Sequence, residues 1–195
     1  MRLCNAPQRD DLGEPETVEK LCAFVRDRLP GVLAAPADVL DACAAASADV
    51  PHDVALRVVA LAAMPPELRA SAGEVFKRAA NIAKDAPDGA PRPPGEVSAD
   101  VHASEARLFD AFAALRSRLQ TARASRDWSS ALAAIAELTP VLARFFEDVF
   151  VMVEDAAVRE NRLRLMREIH RTCSTVAHFN LLAPAKLGAS KKAEP

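Results

Sequence analysis

An arginine in the middle of an apolar helix stripe restricts a fold more than any average property does. The stretch FFEDVFVMVEDAAVRENRLRL runs from Phe145 to Leu165. Its apolar residues, Phe145, Phe146, Val149, Phe150, Val151, Met152 and Val153, stop at Glu154-Asp155, and an arginine-rich helix follows. At about 100° per residue, Arg162 falls among Val158, Leu165, Met166, Ile169 and Cys173. A guanidinium there must pair with a carboxylate, reach past the stripe on its stem, or hold something from outside. An ion pair that fixes the turn between two helices is the bland solution, because an unpaired buried charge is costly. Asp155 is placed to cap the helix by accepting its first free N–H groups. Arg159 lies four residues on, the spacing at which opposite charges meet.

The rest of the chain agrees with helices. Half of the 195 residues are hydrophobic, much of that alanine and leucine, and there is no tyrosine. That balance favours helices over strands, so the expected class is all-α, as two consecutive helical bundles joined by a Pro-rich linker. Residues 1–16 are expected to be a flexible lead-in. Residues 17–85 should form a helical body domain. Its first helix begins near Glu16, carries Val18, Leu21, Cys22, Val25 and Leu29, and ends at Pro30-Gly31. A second runs from Pro36 to about Ala48, and a third carries Val54, Val58 and Leu61. A fourth, opened by Pro65-Pro66, carries Leu68, Val75, Phe76 and Ile82. Residues 86–97, APDGAPRPPGEV, contain Pro87, Pro91, Pro93 and Pro94 and cannot stay helical. The domain boundary is placed there.

Residues 98–183 should form the second helical domain, and 184–195 a flexible tail. A long helix from Ser98 to Ala124 has the seam Leu108, Phe112, Leu115 and Leu119. Asp127 caps a shorter helix bearing Trp128, and Pro140 opens another. The arginine helix closes the series, from Ala156 to about Cys173.

Three groups of cations are candidate contacts. Lys77 and Arg78 share one side of the fourth helix with Asn81 and Lys84. Arg116 and Arg123 share a face with Gln120. Arg164, Arg167 and Arg171 recur as an outward stripe. Each group has an ordinary explanation, as a dipole-favoured helix end or a solvated face. Each also suits phosphates, with Asn adding a directional donor.

The net charge of −2 and pI of about 6.1 give no bulk basic signal for nucleic acid. Cys4, Cys22, Cys43 and Cys173 lack metal-ligand spacing and suit a reducing, cytoplasmic setting. The opening MRLCNAPQRDD has no apolar core, so no secretory leader is expected, and no apolar run approaches ~20 residues, so no membrane span is expected. His52, His102, His170 and His178 show no metal or triad spacing, and phosphate-loop and nucleophile-elbow motifs are missing. The residues describe a binding module and no reaction.

Three segments, in order, resemble the C-terminal region of the β subunit of the two-subunit bacterial glycyl-tRNA synthetases. LCAFVRDRLPGVL with the following DVLDACAA resembles that family's leucine-rich helix and turn. KRAANI, at Lys77–Ile82, resembles its Lys-Arg-x-x-Asn-Ile signature. FFEDVFVMVEDAAVRENRL resembles its Phe-Phe-Asp and Arg-x-Asn-Arg-Leu signature, with Glu147 where Asp is usual and Phe150 where Met is common. The likeness covers about residues 17–183, and the family's preceding domains have no counterpart here. It implies a helical anticodon-binding domain similar to the DALR domain of arginyl-tRNA synthetase over 98–183. It implies tRNA, the synthetase α subunit and the remainder of β as partners. It implies no cofactor in this chain, ATP and Mg serving the whole enzyme. The tRNA contacts would be Lys77, Arg78, Arg116, Arg123, Asn161, Arg162, Arg164, Arg167 and Arg171. Asn161 and Arg162 could instead hold the fold. The rival reading is a helical protein-interaction module that docks on the rest of β or on α without touching RNA.

Overall fold

A computed structural model describes residues 31–46 and 51–184, with residues 20, 23, 24, 27 and 28. The lead-in, the tail from 185, Cys4, and the helix face of Val18, Leu21, Cys22, Val25 and Leu29 lie outside the described residues. Gly31 and Val32 are helical, so the expected stop at Pro30-Gly31 falls slightly later. The described residues form α-helices and 3-10 turns, with no strand among them. The class is all-α. The helices are α1 (Ala37–Ala46), α2 (Pro51–Ala63), α3 (Pro66–Ala83), α4 (Ala103–Ser125), α5 (Trp128–Asp148) and α6 (Ala156–Ser174). Single 3-10 turns occupy Pro94–Glu96 and Phe179–Leu181.

Helices α4 and α5 form an antiparallel hairpin. Arg118 pairs with Glu137, and further along Ser104 donates to Asp148. The turn between them is two residues long because Arg126 adopts a left-handed conformation at φ 55, while the Asp127 N–H reaches back to the Ala122 carbonyl at 2.8 Å. The α4 seam of Leu108, Phe112, Leu115 and Leu119 is buried, as its period requires. The helix starts at Ala103 and not at Ser98. The Ser98 hydroxyl accepts from the Asp100 N–H, a local bond that competes with helix, and His102 Nδ1 provides the cap by accepting from the Ser104 N–H.

Pro140 does not open a helix; it lies inside α5. Proline removes one backbone hydrogen bond and crowds the preceding turn. The helix carries on because Ile135, Leu138, Leu142, Phe145 and Phe146 keep one buried stripe across it, while Pro140 itself faces solvent. The resulting 21-residue helix is long and apolar enough, by length and composition, to cross a bilayer. Its apolar stripe is spent on the core of this fold.

Beyond α5 the chain turns extended at Val149, φ −121 and ψ 120. Extended chain alternates its side chains. Val149 and Val151 therefore point inward, while Phe150 and Met152 are 74% and 53% exposed, so the apolar run is only partly core. Asp155 then caps α6, accepting from the N–H groups of Ala157 and Val158 at 2.8 and 3.1 Å. Arg159 does not meet Asp155; it donates to the carbonyls of Val153 and Glu154 and so braces the loop.

Helix α3 lies antiparallel along α6 and the turn that follows. Gly73 meets Leu182, where an added Cβ would sit 3.1 Å from both the Leu182 Cβ and its carbonyl oxygen, so any larger residue would push the two segments a few tenths of an ångström apart. Phe76 packs on Phe179 with ring centroids 5.1 Å apart. Helix α1 joins through the His178 N–H, which donates to the Ala42 carbonyl. Helix α2 joins at α5, where the Arg57 guanidinium lies 4.0 Å from the centre of the Trp128 ring. One apolar core thus runs from Val39 to Leu182. The Pro-rich segment at 86–97 is irregular as expected, but it does not separate two cores; it lies as a strap over α6.

Candidate nucleic-acid interface

The nine residues expected at the interface do not come together: four hold the fold, three share a trough, and Lys77 and Arg78 lie elsewhere. Arg162 is buried and donates through Nε and Nη2 to one oxygen of Glu105, at 3.0 and 2.6 Å, and through Nη1 to the Phe150 carbonyl. The bland ion-pair solution is the one present, with its partner on α4. Asn161 is buried beside it and clasps the strap at two points: its Oδ1 accepts from the Arg92 N–H at 2.8 Å, and its Nδ2 donates to the Arg92 carbonyl at 3.0 Å. Arg164 donates to the Asp88 carbonyl and to Glu160. Arg167 donates to the Asp88 carboxylate and to the Gly89 carbonyl. Gly89, at φ +114, makes the bend that presents these oxygens. Two of the three stripe arginines are thus consumed as an anchor.

The trough is open. Arg116, Gln120 and Arg123 on α4 share one cleft with Arg171, Thr172 and Thr175 of α6, about 960 Å³ in volume. The residues lining it include no carboxylate. Arg171 is steadied by Glu168 at 3.5 Å and remains exposed. Guanidinium groups and hydroxyls around an open trough are the donors that phosphate oxygens accept from, and the Gln120 amide adds directional hydrogen bonding. A sequence shows that Arg116 and Arg123 share a helix face; it does not show that Thr172 and Thr175 complete the opposite wall.

A smaller cleft of about 340 Å³ lies on the neighbouring side of α6. Lys77 and Asn81 of α3, with Lys84 at its C-cap, face Arg167, His170 and Asn180 across it. Arg78 is set apart from this group, with its guanidinium 4.4 Å from the centre of the Phe146 ring. His170 is half-buried, and burial, followed by the nearby His178, holds its imidazole below the usual range. Asn180 carried no sequence signal, because its place depends on the turn after α6. Cys43 and Cys173 are buried thiols, Cys43 pushed up to about 12 by burial and Cys173 higher still by the same cause, so both are inert packing groups. No cluster of side chains among the described residues could hold a metal ion.

An all-helical fold with an open trough of arginines and hydroxyls has the chemistry of a helical module that meets a polyanion. Residues 74–180 match the DALR anticodon binding domain family, and the chain belongs to that family. The match begins within α3, before the strap, in accord with the shared core. The chain is 36% identical over 192 residues to the glycine–tRNA ligase beta subunit of Acidobacterium capsulatum, covering 92% of this chain and 27% of that protein. It is 34% identical over 188 residues to the same subunit of Anaeromyxobacter dehalogenans, covering 91% and 26%. With that of a Geobacter species it shares 34% over 176 residues, covering 87% and 24%. The chain therefore spans about a quarter of the length of these curated relatives.

Proposed function

We propose that this chain is a tRNA-binding module of a glycine–tRNA ligase β subunit, and that it grips the anticodon arm through the arginine trough between α4 and α6. The observation that carries this is the convergence of Arg116, Arg123 and Arg171 on one cleft lined by no carboxylate. Family membership supplies the kind of nucleic acid. Phosphate contacts would set position and most of the salt dependence, and Gln120 would contribute directional contacts to unstacked bases. Lys77 and Arg78 would meet backbone away from the trough. Asn161, Arg162, Arg164 and Arg167 support the surface from below, all but Arg162 by fixing the strap. The remainder of β and the α subunit are the proposed protein partners, and the ATP and magnesium chemistry of aminoacylation is assigned to the assembled enzyme. A soluble cytoplasmic location follows from that role.

The test is binding of glycine tRNA and of a non-cognate tRNA at two salt concentrations, to the chain and to its Arg116→Glu, Arg123→Glu double variant. The double variant should lose at least tenfold in affinity, and its log–log salt slope should become shallower by roughly two, one per lost phosphate contact. Unchanged affinity with an intact helical spectrum would remove the trough as the contact surface. Absence of tRNA binding together with binding to the α subunit would favour a protein-docking role.

A further inference from the structure

We propose that the smaller cleft between α3 and α6 is a pocket for one unstacked nucleotide, distinct from the arginine trough. Lys77, Lys84 and Arg167 would take its phosphate, and Asn81, His170 and Asn180 its sugar and base edge. Four observations lead there. The first is size. At about 340 Å³ the cleft is at the small end of the range spanned by small-ligand pockets, and too small for a helical stem. The second is charge. Two lysines and an arginine from opposite sides line it, with no carboxylate in the lining itself; the arginine is paired with Asp88 at 3.0 Å, which leaves Lys77 and Lys84 as the open cations. Arg167 is also held in place: its Nη1 and Nη2 donate to Asp88 and Gly89, so its guanidinium stands fixed at the wall. A fixed cation loses little side-chain freedom on meeting an anion.

The third observation argues for more than a phosphate. Asn180 Oδ1 is buried and accepts no hydrogen bond. A buried acceptor without a donor is costly, and the phosphodiester of a polynucleotide carries no donor hydrogen to satisfy it. A ribose hydroxyl or an exocyclic amine does. The fourth is His170. Its Nδ1 faces the Ser174 hydroxyl at 3.4 Å, its Nε2 is not engaged in that contact, and its ring lines the cleft. The pocket thus pairs a cationic side with neutral, directional groups, the division that a nucleotide itself carries.

The pocket is tested without tRNA, so its failure is separable from failure of the trough. The four ribonucleoside 5′-monophosphates and inorganic phosphate are titrated into the ¹⁵N-labelled chain. A nucleotide should shift the side-chain amides of Asn81 and Asn180 at concentrations where inorganic phosphate does not. Lys77→Ala with Lys84→Ala, exposed on α3 and at its C-cap, should weaken that response several-fold, and Arg116→Ala should leave it unchanged. Equal responses of the Asn180 amide to phosphate and nucleotides would reduce the cleft to a simple anion grip and overturn the proposal. So would an Asn180 amide that none of the five ligands moves.

Discussion

Glu105 and Arg162 face each other across the core, with side chains only 5% and 9% exposed. Taking one partner away strands the other charge in apolar surroundings. Glu105→Leu should therefore cost about 3–5 kcal/mol of stability, and combining it with Arg162→Met should recover most of that loss. Urea unfolding of the two single variants and the double variant measures both figures. His170 contributes in a pH-dependent way. Its folded-state pKa is depressed, so the unfolded chain takes up the proton more readily. Its contribution is complete above the ordinary imidazole value of about 6.5 and is lost as pH falls below it. Melting temperatures between pH 8 and pH 5 should fall more steeply for the native chain than for His170→Gln. The need of Arg162 for a partner was visible in its helix position. That the partner is Glu105, 57 residues away, was not, because the sequence does not reveal which helix faces which. Arg159 was misjudged for the opposite reason. Its spacing to Asp155 suited an ion pair, but Asp155 was already committed to capping, and two loop carbonyls were within reach.

At the scale of helices, periodicity did most of the work. The α2 face of Val54, Val58 and Leu61 and the α4 seam are buried where the 3.6-residue repeat puts them. Helix α5 departs from that simplicity. Its proline reads as a start signal, because Pro is favoured in a first turn, and only the stripe shared on both sides shows the continuity. Pro140 is exposed, so replacing it disturbs no packing. Pro140→Ala should restore the bond from residue 140 to the Ala136 carbonyl and stabilise the protein by about 1–3 kcal/mol. Differential scanning calorimetry would show it as a higher melting temperature; a lower one would mean that the helix needs its proline to bend. The loop after α5 was half legible. Seven apolar residues in nine read as one apolar run, but alternation in extended chain turns Phe150 and Met152 outward.

For the molecule as a whole, the strap decides how the parts belong together. Its prolines correctly marked a break in helix, and composition alone then suggested two domains. The contacts that join the two halves, Gly73 against Leu182 and Phe76 against Phe179, pair residues more than 100 positions apart and carry no signal in the sequence. Asn161→Leu removes both hydrogen bonds to Arg92 and leaves that backbone without partners. Hydrogen exchange should then quicken at the Arg92 amide and its strap neighbours, while the α4–α5 hairpin keeps its protection. Even protection across both would mean that the strap is held by its prolines alone.

Chain order also imposes a sequence of events during synthesis. Helices α4 and α5 can close on each other as soon as both have been made, across a two-residue turn. Helix α3 must wait, since Phe76 has no ring to meet until Phe179 has left the ribosome, and Arg92 has no clasp until Asn161 has. Through that interval the nascent N-terminal half carries an unsatisfied apolar face, and it is in this window that a chaperone would find the chain.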